Sequence, residues 1–506
     1  MPGKFGTPDT FRDCLCQLME ERDLSAGQLA DLLQYKSKTT LLRILQNKAG
    51  VRCIGNVFGD LCRCAPLALT EEEIDRLQVA YDVAVWGLEN YRARSEMWRL
   101  LRATENKQYA PTLLWQNDGT MVPLGDFLDR FVPANGKTPL AEGDIPVEHL
   151  EMYVLSCGYP YVMQALASLL KRLRCRVHVC QILQLTSDTG RTVRLVRNML
   201  PVMPCHNHEV FYMRPEDITH DPIYAYGIGR AMILQATLPG GDVREFQILI
   251  RDEHAGGILE APGVWRYWMQ YLNDYLQRGL PMKAAVPDLR DYEKMLEYYC
   301  EIEKCREILL FKAGMCFNFV PVDILLSAVD PHFACPDAYD RLADAMPRFR
   351  VIQEKRFQNI TAKREPTYWV TSARMLWNTA RTGTMTSHFF GMRPFTVEER
   401  IRIYQLILQL LTENPYFHMY LLLENEEDHY VDMDVAHMVG QGIQITASQT
   451  NYPKETGWTE TMLTESSFCD LYREFFMEEL IPNHTHPEKY TTAVLHDILR
   501  ELEETK

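Results

Sequence analysis

Long apolar runs are missing from this sequence of 506 residues. A membrane-spanning helix needs roughly 18 consecutive apolar residues, and one of the longest apolar stretches, 403–411, is already interrupted by Gln405 and Gln409. Residues 1–11 contain no apolar run behind a basic cluster, so no secretory signal is visible. We therefore expect a soluble, cytoplasmic protein of three or four folding units, at roughly 100–200 residues per domain.

Zinc-type cysteine spacing is also missing. The 14 cysteines include close pairs, such as Cys14 and Cys16, but no CxxC…CxxC arrangement. The nearest approach to a metal cluster is 205–208, Cys-His-Asn-His, with His220 downstream. Neighbouring residues on one loop rarely surround a single ion, so a polar surface loop is the better interpretation. We predict no metal, no cofactor and, in a reducing cytosol, mostly buried free thiols.

Catalytic motifs are not visible either. The sequence has no G-x-x-x-x-G-K-[ST] phosphate loop, no H-E-x-x-H and no G-x-S-x-G. Gly227 and Gly229 do not continue into G-x-G-x-x-G, and the acidic run 424–434 is more typical of a solvated turn than of a catalytic patch. We predict no catalytic residue and no enzymatic activity. An enzyme whose active site lies in the C-terminal region stays open as an alternative.

Acidic residues are missing from one window, 32–59, although the whole chain carries a net charge of −15. This net charge argues against a nucleic-acid coat but leaves room for one local binding face, because the local field decides binding. The basic residues of the window are Lys36, Lys38, Arg43, Lys48 and Arg52.

The same window falls within a series of short helices. Apolar spacing predicts a first helix from Phe11 to about 23, a second after Ser25, a third after Ser37 and a fourth at 53–62. Ser25 and Gln28 have capping-box spacing, and Ser37 is the expected N-cap of the third helix.

Residues 24–33, LSAGQLADLL, and 40–48, TLLRILQNK, resemble the Cro/repressor-type, or XRE-like, helix-turn-helix family of transcriptional regulators. That family typically reads L-S-x-x-x-L-A-x-x-L, a small turn, then S-T-I-S-R-I-E-N-G. The resemblance covers about residues 10–64; Gln34 stands where the family often has glycine, and one extra residue lies near Lys36 and Ser37. It implies a DNA-binding domain, double-stranded DNA as partner, and a bacterial regulator that binds its operator as a homodimer.

The third helix is predicted to enter the major groove, which admits one α-helix. Its face opposite the apolar Leu41 and Ile44 would contact base edges, and flanking cations would bind phosphates. The predicted base-reading residues are Lys38, Thr39, Leu42, Arg43 and Gln46, and the predicted phosphate-binding residues are Lys36, Lys48 and Arg52. A helical bundle used only for protein contacts is the alternative.

Beyond residue 66 the sequence patterns predict both helices and strands. Thr70 and Glu73 have capping-box spacing before a helix that either supports dimerisation or packs on its neighbours. Residues 117–119 predict a hairpin within a linker region at 105–148. Strand–helix–strand spacing at 152–185 predicts a βαβ unit, and 231–238 with 243–250 predicts a second hairpin.

The predicted domains are 1–66, 67–104, 105–148 and 149–506, the last one open to division into lobes at 149–330 and 331–506. The predicted fold class is multidomain, with an all-α N-terminal helix-turn-helix domain followed by a large α/β or α+β region. The predicted function is sequence-specific transcriptional regulation, in which the C-terminal region senses a small-molecule or protein effector or forms the dimer. An interaction protein whose helix-turn-helix has lost DNA binding is a further alternative.

Overall fold

The structure is a computed structural model that describes most of residues 10–506. The described residues are those of this range outside 103–108, 135–139, 156, 186–187, 204, 206, 214–229, 287–296, 298–299, 301–305, 313, 317–318, 329–335, 363, 386–392, 425–432, 441 and 448–457.

Helices form the described part of the first 101 residues. Their bounds are α1 Phe11–Glu21, α2 Ala26–Leu32, α3 Thr39–Leu45, α4 Val51–Arg63, α5 Glu71–Trp86 and α6 Leu88–Leu101. The predicted capping boxes of Ser25 with Gln28 and of Thr70 with Glu73 are both present, because each pair exchanges hydrogen bonds in both directions. These boxes fix where α2 and α5 begin.

One apolar core holds α1 to α5 together. Leu29, Leu41, Val57 and Leu61 are fully buried in it. Helix α5 packs against α1 and α4, so this helix after residue 66 belongs to the same core as the helices before it. The chain divides into two compact units between Glu96 and Met97.

The second unit contains a mixed sheet whose described part has 15 strands, together with a separate pair of strands. The strand bounds are β1 Leu113–Trp115, β2 Met121–Pro123, β3 Phe131–Pro133, β4 Ile145–Val147, β5 His149–Leu155, β6 Val177–Gln184, β7 His208–Met213, β8 Ala231–Thr237, β9 Val243–Ile250, β10 Ala255–Glu260, β11 Leu280–Val286, β12 Ile308–Lys312, β13 Thr367–Thr371, β14 Phe417–Leu421, β15 Met433–Met438, β16 Gly442–Ala447 and β17 Trp458–Leu463. The helix bounds are α7 Leu124–Asp129, α8 Pro160–Leu173, α9 Thr189–Asn198, α10 Val264–Arg278, α11 Val322–Ala328, α12 Pro336–Thr361, α13 Ala373–Thr382, α14 Val397–Glu413, α15 Ser466–Phe475, α16 Ile481–His484 and α17 Glu488–Thr505.

Two parts of the large sheet repeat one topology. Lobe A has the strand order β7-β6-β5-β8-β9-β10, and lobe B has the order β14-β13-β12-β15-β16-β17. In each lobe the first three strands are parallel and the remaining ones antiparallel. A helix follows the sixth strand of each lobe, α10 in lobe A and α15 in lobe B, and packs on the antiparallel strands. Lobe B begins at β12, ahead of the predicted lobe boundary at residue 330.

Strand β11 joins the two lobes, because it pairs antiparallel with β7 of lobe A and with β17 of lobe B. At the other end of lobe A, β1 pairs parallel with β10 and antiparallel with β2. The hairpins predicted at 117–119 and at 231–250 and the βαβ unit predicted at 152–185 are thus confirmed.

The predicted fold class is wrong. The chain has an α/β-rich fold dominated by a large mixed sheet, and the helical segment before residue 66 is not an all-α domain on its own. Residues 105–148, predicted as a linker, contribute β1, β2, α7 and the β3–β4 pair. Local periodicity predicts individual elements, but fold class depends on pairings between distant segments, which short patterns do not contain.

Candidate nucleic-acid interface

The turn after α2 is closed by backbone hydrogen bonds. The Tyr35 N–H donates to the Ala30 carbonyl at 2.8 Å, and the Gln34 N–H donates to the Asp31 carbonyl. Gln34 has φ 58°, in the left-handed region, so it occupies a position that favours glycine. This closure redirects the chain from α2 towards α3.

A tyrosine–aspartate hydrogen bond ties this turn to α4. The Tyr35 hydroxyl donates to Asp60 Oδ2 at 2.6 Å, and Arg63 donates to Asp60 Oδ1 at 2.8 Å. Burial, together with the hydrogen bond to Asp60, raises the pKa of Tyr35, while the bonds from Tyr35 and Arg63 lower the pKa of Asp60. Local sequence patterns do not predict this contact, because Tyr35 and Asp60 lie 25 positions apart.

Helix α3 presents two different faces. Leu41 and Ile44 are buried in the core of the first unit, whereas Thr39, Arg43 and Gln46 are exposed. Residues three and four apart share a helix face, so the exposed side chains form one polar stripe opposite the buried pair. The half-buried Leu42 lies at the border of this stripe.

The start of α3 differs from the expectation. Lys38, not Ser37, is the N-cap residue, and its side chain makes no capping hydrogen bond. The Ser37 hydroxyl donates to Thr39 Oγ1 at 3.0 Å and accepts a hydrogen bond from the Thr39 N–H at 3.4 Å. The extra residue in this turn moves Ser37 one position ahead of the cap, which explains the wrong prediction.

The remaining predicted cations flank α3. Lys36 lies in the turn before it, Lys48 follows Asn47 just after it, and Arg52 lies in the first turn of α4. All three side chains are exposed. Asn47 has φ 54°, and the Lys48 N–H donates to the Arg43 carbonyl, which ends α3 by the same kind of turn that ends α2. The eight predicted residues therefore lie on α3 and on the segments directly next to it.

The charge of this face is uncompensated within the described part of the chain, where none of its cations forms an ion pair. The cations concerned are Lys36, Lys38, Arg43, Lys48 and Arg52. Other arginines of the same unit do pair, as Arg22 does with Glu73 at 2.6 Å and Arg76 with Glu21 at 3.5 Å. We call the surface formed by these five cations together with Thr39 and Gln46 the basic face.

Several residues singled out in the C-terminal region fall outside the part of the chain that the structure describes. His206, His220, Gly227 and Gly229 lie outside the described residues, as does most of the run 424–434. Ring nitrogen Nε2 of the buried His208 lies 2.9 Å from Gln181 Oε1, within the core of lobe A. Over the described ranges, no group of three or more His, Cys, Asp or Glu residues is placed to hold a metal ion. No described helix has the length and apolar character needed to cross a membrane.

A charged cluster crosses the parallel strands of lobe A. His178 Nδ1 lies 2.8 Å from Glu151 Oε1, and His178 Nε2 lies 3.5 Å from Glu209 Oε2. Hydrogen bonds to Glu151 and Glu209 raise the pKa of His178 to about 10 although burial opposes the shift. At neutral pH the cluster is thus an imidazolium held between two carboxylates, an arrangement that stabilises the pairing of β5, β6 and β7.

Comparisons with known proteins identify no family. No protein-family profile and no curated protein sequence matches the chain. Among solved structures, a phosphatidylserine synthase from Haemophilus influenzae is similar at 6% identity and a TM-score of 0.23, covering 82% of this chain and 98% of that one. A variant of yeast tyrosyl-DNA phosphodiesterase has 11% identity and a TM-score of 0.16, covering 67% of this chain and 86% of that one. Likenesses this weak assign neither fold nor function.

Proposed function

We propose that the chain is a cytoplasmic, bacterial-type transcriptional regulator that binds double-stranded DNA through the basic face. In this proposal α2 and α3 are the two helices of a helix-turn-helix motif of the XRE-like kind, and the second unit senses an effector or forms the homodimer. Thr39, Leu42, Arg43 and Gln46, with Lys38, read bases, while Lys36, Lys48 and Arg52 bind phosphates.

One observation supports this proposal above the others: in the described part of the chain, exposed cations that form no ion pair are concentrated on α3 and the segments directly beside it. An exposed cation contributes little to folding stability. A set of such cations on and beside the exposed face of one helix, whose opposite face is buried in the core, suits a polyanionic partner. The major groove is wide enough for α3, and Arg43 is the side chain of this face best suited to a bidentate contact with guanine.

The test is DNA binding by the full-length chain across a salt series, with genomic fragments as the probe. We compare Arg43→Ala and Lys38→Ala with Arg63→Ala, an exposed arginine of α4 that already pairs with Asp60. Removal of a base-reading arginine costs about 1–3 kcal/mol, roughly 5- to 150-fold in affinity. We expect this loss for Arg43→Ala, together with relaxed selection among fragments, and no comparable loss for Arg63→Ala.

Two results would contradict the proposal. Absence of salt-dependent binding by a folded chain at low salt would remove DNA as the partner. Equal losses for Arg43→Ala and Arg63→Ala would show that binding, if present, uses another surface. In either case an interaction surface for protein becomes the better account of the basic face.

A further inference from the structure

Helix α3 does little by itself to fix the position of its N-terminal end. The helix is seven residues long, and its N-cap residue Lys38 makes no side-chain capping bond. Only Leu41 and Ile44 of the helix are buried. Because uncapped helix ends fray, the position of this end depends on the turn that precedes it. Two of the proposed base-reading residues, Lys38 and Thr39, lie at this end.

A single side chain joins that turn to α4 by a hydrogen bond. Tyr35 is half-buried, and its hydroxyl donates to Asp60 Oδ2 at 2.6 Å, a contact that we call the Tyr35–Asp60 clamp. Among the described residues, this is the one side-chain hydrogen bond that joins segment 35–46 to another helix, since the bonds between Ser37 and Thr39 stay within the turn. The clamp lies only four residues before Thr39, so it acts close to the start of α3.

The Tyr35–Asp60 clamp adds direction to the fold more than stability. A phenylalanine would fill the space of the Tyr35 ring without a hydroxyl that needs a partner, and an apolar pair often stabilises a fold as well as a polar one. Asp60 lies in the last turn of α4, where a carboxylate opposes the helix dipole. A hydrogen bond is directional, whereas an apolar contact is not. A polar pair that costs α4 some stability and fixes a direction indicates a positioning role.

The two carboxylate oxygens of Asp60 have separate partners. Oδ2 accepts from Tyr35, and Oδ1 accepts from Arg63 at 2.8 Å. Both bonds lower the pKa of Asp60, so the carboxylate is charged at neutral pH, and a charged acceptor makes a stronger hydrogen bond than a neutral one. Arg63→Ala removes the bond to Oδ1 and leaves the clamp in place, which makes it a matched control.

We infer that Tyr35 is a positioning residue for DNA binding, which acts through Asp60 to hold the start of α3 at the angle its base contacts require. This inference rests on the proposed function. Without the clamp, α3 can tilt about its buried residues Leu41 and Ile44. Base contacts are lost on such a tilt, because they depend on precise distances and angles. Contacts between flexible lysine side chains and phosphates tolerate it, so the clamp contributes to the choice of sequence more than to general affinity for DNA.

The first test is DNA binding by the full-length chain, with a genomic fragment selected by the wild type and a duplex of unrelated sequence as probes. We expect Tyr35→Phe to bind the selected fragment about tenfold more weakly, as for one lost hydrogen bond to a charged group. Affinity for the unrelated duplex and its salt dependence should not change.

Variants of the partner residue separate positioning from a general effect on the fold. Asp60→Asn keeps an oxygen that accepts from Tyr35 and should retain most of the affinity, whereas Asp60→Ala should match Tyr35→Phe. The double variant Tyr35→Phe/Asp60→Ala should lose no more than either single variant, because both changes remove the same bond. Arg63→Ala should bind both probes like the wild type.

A second measurement needs no DNA. Trypsin cleaves after lysine, and the exposed Lys36 and Lys38 lie in the turn that the clamp holds. We expect cleavage there to be roughly tenfold faster in Tyr35→Phe than in the wild type or in Arg63→Ala, because cleavage follows the population of the locally opened chain. Thermal unfolding shows that each variant is folded at the assay temperature.

The outcomes separate this inference from the proposed function. A wild-type chain that binds no DNA removes the proposed function, and the inference with it. If the wild type binds and Tyr35→Phe selects the same fragment with equal affinity, the inference alone is overturned, whether or not cleavage is faster. A folded Tyr35→Phe chain that loses affinity equally for both probes also overturns it, since the clamp would then not serve base reading.

Discussion

Two groups of cations in this molecule differ in what surrounds them. Arg393 donates to both carboxylate oxygens of Glu399, at 2.8 and 2.7 Å, and its guanidinium lowers the pKa of that glutamate to about 2. Arg43, on the basic face, has no such carboxylate in the described structure. The ion pair of Arg393 stabilises the fold. The charge of Arg43 is exposed to water and has no carboxylate partner among the described residues, so it adds little to the free energy of unfolding. The difference indicates which cations serve binding. It can be tested by giving an unpaired cation a carboxylate partner or by removing the cation of an existing pair.

The largest effect is expected from pairing a cation that is now unpaired. Thr39 lies four residues before Arg43 on α3, so Thr39→Glu places a carboxylate where it reaches Arg43. We expect about ten- to hundredfold weaker DNA binding, since the acid competes with phosphate and base for the guanidinium. The helix itself gains about 0.3–0.5 kcal/mol. Thr39→Gln is the control for the lost hydroxyl, and equal DNA affinity in both variants would contradict the assignment of Arg43.

The second effect comes from unpairing a cation that is now paired. Arg393→Met leaves Glu399, whose side chain is 16% exposed, without its partner, and we expect a loss of about 2 kcal/mol in the free energy of unfolding. Arg402→Met is the matched control, because Arg402 pairs with Asp323 where both side chains are more than half exposed. It should cost under about 1 kcal/mol. Urea denaturation measures both, and similar losses would show that burial does not separate the two pairs.

A third prediction concerns the pH dependence of the cluster around His178. The pKa of His178 rises from 6.5 to about 10 on folding, so its stabilising contribution is complete below pH 6.5 and is lost as the pH rises towards 10. Because the side chain is 37% exposed, we expect only about 1 kcal/mol. Urea unfolding of the wild type and of His178→Gln should differ at pH 6 and converge near pH 10. A difference that does not change with pH would assign the effect to packing.

The smallest effect should come from the turn after α2. Gln34 has φ 58°, and glycine adopts this conformation without a steric cost. We therefore expect Gln34→Gly to stabilise the first unit by about 0.5–1 kcal/mol while leaving DNA affinity unchanged. Gln34→Ala keeps a Cβ and serves as the control, measured by thermal unfolding. Destabilisation by Gln34→Gly would mean that the glutamine side chain itself holds the turn.

Local signals in the sequence predicted local structure well. Ser25 with Gln28 and Thr70 with Glu73 located the starts of α2 and α5, because capping boxes depend on residues only three positions apart. Ser37 is not the N-cap residue, because the extra residue that the family pattern indicates near Lys36 and Ser37 shifts the start of α3 by one position.

These local patterns do not predict which distant segments of the chain pair with each other. Nothing in 280–286 indicates that β11 bridges two lobes, and nothing in 113–115 indicates that β1 joins β10. For the candidate site, the exposure of Arg43 and Gln46 follows from the position of Leu41 and Ile44 on the opposite face. The absence of ion pairs among the described residues of the basic face does not follow from the sequence, because a carboxylate from any part of the chain could have been their partner.

The parallel pairing of β1 with β10 also has a consequence for synthesis on the ribosome. The hydroxyl of Thr112, next to β1, donates to the carbonyl of Glu253, which is 141 residues further along the chain. At about 5–20 residues per second, the nascent chain waits roughly 7–28 s before the second partner of this bond is made. Throughout that interval the β1–β2 hairpin, with Trp115 and Met121, has no strand to join, and it is the part of the sheet that a ribosome-bound chaperone would meet first.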